Sequence, residues 1–163
     1  GDRFPAPDAM ISRLAAKGRH TVVIVDPHIK VDTGFPVYQE VTKGGLAVAG
    51  PDGNQFEGNC WPGRSVWVDY FNPKARDYWS ALIADRYRSD WVHIWNDMNE
   101  PAVFDVPELS FPRDALHNLG NSSIGHDRVH NLYGKMMHGA TRSGLLRRNP
   151  DKRPLVLSRS FYA

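Results

Sequence analysis

Cysteine is almost missing from this chain. Cys60 stands alone among 163 residues, so no disulfide forms within the stretch. One thiol does not settle the redox compartment, because its partner can lie elsewhere in a longer chain. Long apolar runs are missing too. No stretch approaches the roughly 18 residues that span a bilayer, so no membrane partner is expected. Charge of one sign is in short supply: 20 Lys and Arg against 18 Asp and Glu leave a formal net charge of +2. The densest basic group, Arg142, Arg147, Arg148, Lys152 and Arg153, reads as a solvated helix end and loop, which argues against a nucleic-acid partner. There is no repeat and no low-complexity tract. Gly1-Asp2-Arg3-Phe4-Pro5 lacks an initiating Met and the basic-then-apolar pattern of a leader. Ser160-Phe161-Tyr162-Ala163 stops just after a strand-like run. Both ends are read as cuts through a longer protein.

Aromatic residues, by contrast, are plentiful: 5 Trp, 6 Tyr and 7 Phe. Such rings line sugar sites, but they fill cores more often. The order of elements carries more information. Pro7 to Lys17 places Met10, Ile11, Leu14 and Ala15 at helical spacing, with Gly18 as a stop. Thr21-Val22-Val23-Ile24-Val25 is a continuous β-branched run, expected to be a strand buried on both faces and ending in Asp26-Pro27-His28. A long loop is expected from about Lys30 to Asn72, and loops of that length are usually functional. Asn72-Pro73 opens a helix by its cap and first-position proline, with Trp79, Leu82, Ile83 and Tyr87 on one face. Trp91 to Trp95 reads as a second strand, ending in Asn96-Asp97. After a second long loop come a helix from about Asp127 to Arg148 and a third strand, Pro154 to Leu157, ending in Ser158-Arg159.

Helix and strand therefore alternate, which argues for an α/β fold with parallel strands and crossover helices. Each strand delivers a polar residue at its C-terminal end: Asp26, Asp97 and Arg159. Both a (β/α)₈ barrel and a doubly wound sheet build sites on that edge. Three strand units are too few to close a barrel.

Asp97 is the leading candidate for chemistry, since a carboxylate just past a buried strand is held rigidly. A helix-capping or surface acid is the plainer alternative. Glycoside hydrolysis needs two carboxyl groups flanking the bond, roughly 5 Å apart for retention and wider for inversion. Asp97 and Glu100 are so close in sequence that they are expected on the same side of a sugar. Glu100 is therefore read as orienting Asp97 or binding a hydroxyl. Asp26 and His28 offer two ligand types on one strand face. No third and fourth ligand follow at convincing spacing, so no metal and no cofactor are expected. His20, His93, His117, His126, His130 and His138 read as scattered polar or core histidines.

Trp95-Asn96-Asp97-Met98-Asn99-Glu100-Pro101 closely resembles the nucleophile signature of glycoside hydrolase family 31. Ile24-Val25-Asp26-Pro27-His28-Ile29-Lys30, Cys60-Trp61-Pro62-Gly63 and Arg153-Pro154-Leu155-Val156-Leu157-Ser158-Arg159-Ser160 resemble further blocks of that family, in the same order. Within it, Asn96, the Asp26-Pro27-His28 block and Asp114-Ala115-Leu116-His117 are most similar to the neutral α-glucosidases, the glucosidase II catalytic subunits of the endoplasmic reticulum among them.

The resemblance implies that residues 1–163 are a central fragment of a (β/α)₈ TIM barrel, about three strand units of it. It implies a retaining α-glucosidase acting on α-glucosides or N-glycan oligosaccharides in the endoplasmic reticulum lumen, with a non-catalytic glucosidase II β subunit as a partner. Asp97 would be the nucleophile and Glu100 its neighbour in the catalytic signature. Arg159, Asp26, Trp95, Trp61 and Met98 would bind substrate. The family's general acid/base and an earlier substrate-binding aspartate are expected outside the stretch. Asn59 departs from the glucosidase II pattern, which usually has Trp before the cysteine. Other readings stay open: an α-xylosidase or bacterial-type α-glucosidase of the same family, a non-catalytic sugar-binding relative, or a metal-dependent barrel hydrolase using Asp26, His28 and Asp97. Asn121-Ser122-Ser123 fits the N-glycosylation acceptor pattern.

Overall fold

The computed structural model describes residues 3–162; Gly1, Asp2 and Ala163, the outermost residues of the two chain ends, lie outside the described residues. The chain runs α1 (Pro7–Ala15), β1 (Thr21–Val25), β2 (His28–Lys30), α2 (Pro36–Lys43), β3 (Gly58–Cys60) and β4 (Gly63–Trp67). It continues through α3 (Pro73–Arg86), β5 (Val92–Asn96), β6 (Leu116–Asn118), β7 (Ser123–Gly125), α4 (Tyr133–Arg148) and β8 (Val156–Ser158).

The three strands expected to be parallel are so, in the order β1-β5-β8. Ile24 is in register with Trp95, and Trp95 with Leu157. Helices α3 and α4 pack together against one face of this sheet. Asn72 caps α3 as its sequence predicts, its side chain accepting from the Lys74 N–H at 3.0 Å. At the helix–sheet contact Trp79 Nε1 donates to Thr141 Oγ1 at 2.9 Å, and Thr141 donates to Asn96 Oδ1 at 3.1 Å. Side chains alternate along a strand. Val23, Val25, Ile94 and Val156 therefore enter or flank the core, while Val22, Ile24, Leu155 and Leu157 share the opposite face with Trp95.

That opposite face is bare. Val22, Ile24, Leu155 and Leu157 are 46–55% exposed, which corrects the expectation that β1 is buried on both faces. Strands from a barrel wall have one face covered by helices, and the other is filled only by side chains from further strands.

The stretch read as one long loop, Lys30 to Asn72, is a second correction. It holds α2 and an antiparallel sheet in the order β2-β4-β3. Its regular pieces are three to eight residues long, too short for hydrophobic periodicity to register. Yet Val41, Val48, Val66, Trp67 and Val68 are completely buried. The β6–β7 hairpin joins this unit through Ala49 and Leu116. Aromatic rings knit the subdomain to the helices: Phe111 meets Trp67 and Tyr133 edge-on at 5.7 and 5.3 Å, and Tyr70 meets Trp79 at 5.3 Å. The last long helix starts at Tyr133 and not at Asp127, because two single 3₁₀ turns, His126–Arg128 and His130–Leu132, precede it. Among the described residues no helix is long and apolar enough to cross a membrane.

Candidate active site

Strand alternation fixes where the site forms. Asp97 follows Trp95 by two residues, Asp26 follows Ile24 by two and Arg159 follows Leu157 by two. All three continue the bare face at the C-terminal edge of the sheet. Backbone bonds hold the strand ends: the Asp97 N–H donates to Val25 O at 3.2 Å, and the Arg159 N–H to Asn96 O at 3.0 Å.

Arg159 organises the acids. Its guanidinium takes Glu100 in a fork, Nε to Oε1 at 2.7 Å and an Nη to Oε2 at 2.8 Å. The same Nε lies 3.1 Å from Asp97 Oδ1. Two carboxylates that share one guanidinium nitrogen sit on one side of the site, as their spacing predicts. The hydrogen bonds from Arg159 hold the Glu100 carboxyl below the usual range, and that fork raises the pKa of Arg159 in turn. Arg159 therefore forms salt bridges, and it makes them to the acids of the site.

Asp26 completes the group. Burial pushes its carboxyl up, the Asp97 charge adds to that, and Arg159 opposes both. Its Oδ1 is buried without a hydrogen-bond partner among the described residues. His28 stands 3.6 Å from Asp26 Oδ2, and burial lowers its pKa to about 4, so the ring is neutral at physiological pH. Burial also raises the thiol pKa of Cys60, with the Asp26 charge as a smaller cause. No cluster of three His, Cys, Asp or Glu suited to a metal ion occurs among the described residues.

The aromatic candidates separate. Trp95 sits half-buried on the site face, in register with Ile24 on one side and Leu157 on the other. Trp61 is 71% exposed and meets Phe104 edge-on at 4.8 Å. Behind this pair, Asn59 donates to Asp105 through both its backbone N–H (2.7 Å) and its side-chain amide (2.8 Å). The Phe104 N–H donates to Asn59 O at 2.8 Å. The residue that departs from the family pattern thus anchors the loop carrying Phe104. Trp91 lies at the other end of β5, stacked on His20 at 4.6 Å. Met98 is also placed differently from an open wall: it is 4% exposed, in the core, with φ 56°. A non-glycine residue in the left-handed region is strained, and such residues cluster at functional turns. Here the turn separates Asp97 from Glu100.

Sequence reasoning missed two supports. Asn99, fully buried, donates to Ser158 Oγ (2.8 Å) and Ser160 O (3.2 Å), and its Oδ1 accepts from the Ser160 N–H at 3.0 Å. This clamp ties the Asp97 loop to the Arg159 loop. Gly134, in the first turn of α4, lies so close that an added Cβ would stand 2.4 Å from Ser160 O and 2.9 Å from Asn99 O. The second support is a buried chain: Asp69 Oδ1 to His117 Nδ1 (2.8 Å), His117 Nε2 to His126 Nδ1 (2.9 Å), and His126 Nε2 to His130 Nδ1 (2.7 Å). Burial lowers the pKa of His126 to about 3, and lowers that of His130 against the pull of Glu100. Three of the histidines read as scattered are therefore one array. The four-residue step from His126 to His130 was its only sequence trace.

The chain matches the family described as glycosyl hydrolases family 31 TIM-barrel domain over residues 1–163. It is 46% identical over 167 residues to neutral alpha-glucosidase AB of Dictyostelium discoideum, covering 99% of this chain and 17% of that protein. A crystal structure of a glucosidase II alpha subunit bound to Glc1Man2 superposes with a TM-score of 0.89 at 46% identity, covering 96% of this chain and 17% of that one. An endoplasmic-reticulum glucosidase II heterodimer, a catalytic subunit with the binding domain of a regulatory subunit, gives 0.88 at 47% identity with the same coverage. This chain therefore spans about a sixth of the length of the relatives it matches. With the parallel sheet, the acids at its C-terminal edge and a match over every residue, the chain belongs to glycoside hydrolase family 31, as a segment of its TIM-barrel domain.

Proposed function

We propose that this chain is the nucleophile-bearing segment of a retaining α-glucosidase that removes terminal α-linked glucose. The observation that carries the reading is the placement of Asp97: on the open face at a strand end, beside Arg159, with Glu100 bound to the same guanidinium. Asp97 attacks the anomeric carbon and forms a β-glucosyl ester. An acid outside this stretch protonates the leaving oxygen and then activates the water that releases α-glucose. Arg159 keeps the attacking carboxylate company in charge and holds Glu100 away from the sugar's far side. Asp26 and Arg159 bind hydroxyls, Trp95 and Trp61 provide apolar walls, and Met98 shapes the turn between the acids. No cofactor enters.

The likeness to glucosidase II structures supports a finer reading, in which the substrate is a glucose-capped N-glycan arm, the compartment is the endoplasmic reticulum lumen and a non-catalytic β subunit binds the full-length protein. The test is made in that full-length protein. A mechanism-based fluoroglycoside should leave a covalent sugar on the peptide carrying Asp97. Asp97→Ala should lose activity by a factor of about 10⁴ or more without unfolding, and Glu100→Gln should lose less. A label on Glu100 reverses the two roles. No label, with activity retained in Asp97→Ala, overturns the mechanism.

A further inference from the structure

The Asn121-Ser122-Ser123 motif has no part in the site described above, and the fold gives it a distinctive position. It lies at the tip of the β6–β7 hairpin, where residues 119–123 are all exposed. The tip is a closed turn. The Leu119 N–H donates to Ser122 O at 2.8 Å, Asn118 Oδ1 accepts from the Gly120 N–H at 2.7 Å, and Gly120 takes φ +97°, which glycine tolerates best. Asn121 is thus presented at the outermost point of a tight, polar reversal, and its amide makes no hydrogen bond to another described residue.

The chain's other asparagines are employed differently. Seven of the other eight, Asn54, Asn59, Asn72, Asn96, Asn99, Asn118 and Asn149, are held by hydrogen bonds. None of the other asparagines in the sequence has Ser or Thr two residues on. Asn121, the one asparagine with the acceptor spacing, is also one of two, with the exposed Asn131, whose side chain makes no hydrogen bond among the described residues. Beside the tip, a groove of about 700 Å³ mixes apolar lining from Ala47, Ala49 and Leu116 with the amides and hydroxyls of Asn54, Gln55 and Ser122. Amides and hydroxyls of this kind suit a sugar's hydroxyl groups.

We infer that Asn121 is an N-glycosylation site, and that the first sugar of its glycan rests over the groove beside the β6–β7 turn. The inference rests on the secretory-pathway reading given above. In the modification, Asn121 Nδ2 bonds to C1 of the first sugar of a lipid-pyrophosphate-linked oligosaccharide. The C1–O bond breaks, the pyrophosphate leaves with its electron pair, and one amide proton goes to the transferase's base. Ser123 supplies the hydroxyl that the acceptor pattern requires. Its side chain begins β7 opposite Asn118, so Ser123→Ala leaves the hairpin register intact.

The experiment uses the full-length protein in its own cells. Sealed microsomes are treated with protease to report location, and the protein is then digested with an amidase that removes N-glycans in ¹⁸O water. Removal converts a glycosylated Asn121 to labelled Asp, read by peptide mass. The expected result is a protease-protected chain with labelled Asp at position 121. That label should be lost in both Asn121→Gln and Ser123→Ala and kept in Ser123→Thr, while glucosidase activity stays unchanged in all three. A protected chain whose Asn121 peptide carries no label overturns the site and leaves the location standing. A protease-sensitive, unlabelled chain overturns the site and the location together.

Discussion

The two halves of this molecule solve the problem of burial in opposite ways. The antiparallel subdomain, built from α2, β2–β4 and the β6–β7 hairpin, is enclosed, its core continuous with that of the helices. Val41, Val48, Val66, Trp67 and Val68 have no exposure at all, and even its ionisable groups are enclosed, with Asp69 and His117 at 1% or less. The parallel sheet is finished on one side only. It carries Ile24, Leu155 and Leu157 at half exposure on the side where Asp26, Asp97 and Arg159 gather. The helix-covered side of that sheet is as closed as the subdomain, with Ile94, Trp79, Ile83 and Met137 at 2% exposure or less, so the two halves differ only on the face that carries the acids. A site held this way stays open to a substrate while its supports, the Asn99 clamp and the start of α4, are tied into the enclosed half.

The contrast is broken most severely from within the enclosed core. Trp67→Ala removes a fully buried ring that contacts Phe111 and Phe56. It should cost about 3–5 kcal/mol in a denaturant titration of the full-length protein. Acid is the next largest perturbation. His28 and His126 are neutral in the fold, with pKa values of about 4 and about 3 against 6.5 for a free imidazole. Between those values the unfolded chain binds more protons than the folded one. The stability they contribute is therefore present above pH 6.5 and is lost as pH falls toward 4. For His28 this amounts to about 3 kcal/mol, and His28→Gln should flatten the decline. Asp26 works in the opposite sense. Its raised carboxyl makes folding less favourable as pH climbs through its folded pKa, so Asp26→Asn should raise stability at neutral pH while impairing turnover.

A smaller effect tests the joint between the halves. Gly134→Ala forces a methyl against Ser160 O and Asn99 O. It should cost about 1–3 kcal/mol and lower kcat/KM along with it, because the displaced atoms belong to the clamp between the Asp97 and Arg159 loops. The smallest effect sharpens the comparison. Ile24→Ala, made in the 163-residue stretch expressed alone, should change its stability by less than about 0.5 kcal/mol, since the side chain is already exposed. The same change in the full-length protein should cost about 2–5 kcal/mol if the barrel closes over that face. Equal effects in the two settings would mean that Ile24 stays open to solvent in the whole protein.

Much of the site was legible in the sequence because β-strands alternate strictly. Once Ile24, Trp95 and Leu157 are assigned to strands, Asp26, Asp97 and Arg159 must land together at the same edge. The nearness of Asp97 and Glu100 in the chain likewise placed them on one side of the site. What stayed hidden depends on contacts between distant segments. The strands β3 and β4 are three and five residues long and make sense only as partners of each other and of β2. The clamp joins Asn99 to Ser160, 61 residues on, and Asp69 reaches His117 across 48. Nothing local marks such pairs. The burial of Met98 was hidden for a related reason. Its neighbours in sequence line the site, but its positive φ turns its side chain back into the core.

The buried imidazole chain has a direction. Asp69 is acceptor-only when ionised, and it is already taking N–H donors from Phe71 and Asn118. Its contact with His117 therefore needs the proton on Nδ1. In the state where all three rings carry one proton each, His117 offers a lone pair at Nε2, which requires the proton of His126 on Nδ1, and the same demand passes to His130. One carboxylate thus writes the tautomer of three side chains in series and leaves the Nε2 of His130 as a base at the far end. All three rings should show the less common Nδ1–H form in ¹⁵N spectra, and Asp69→Asn would release that choice along the whole row.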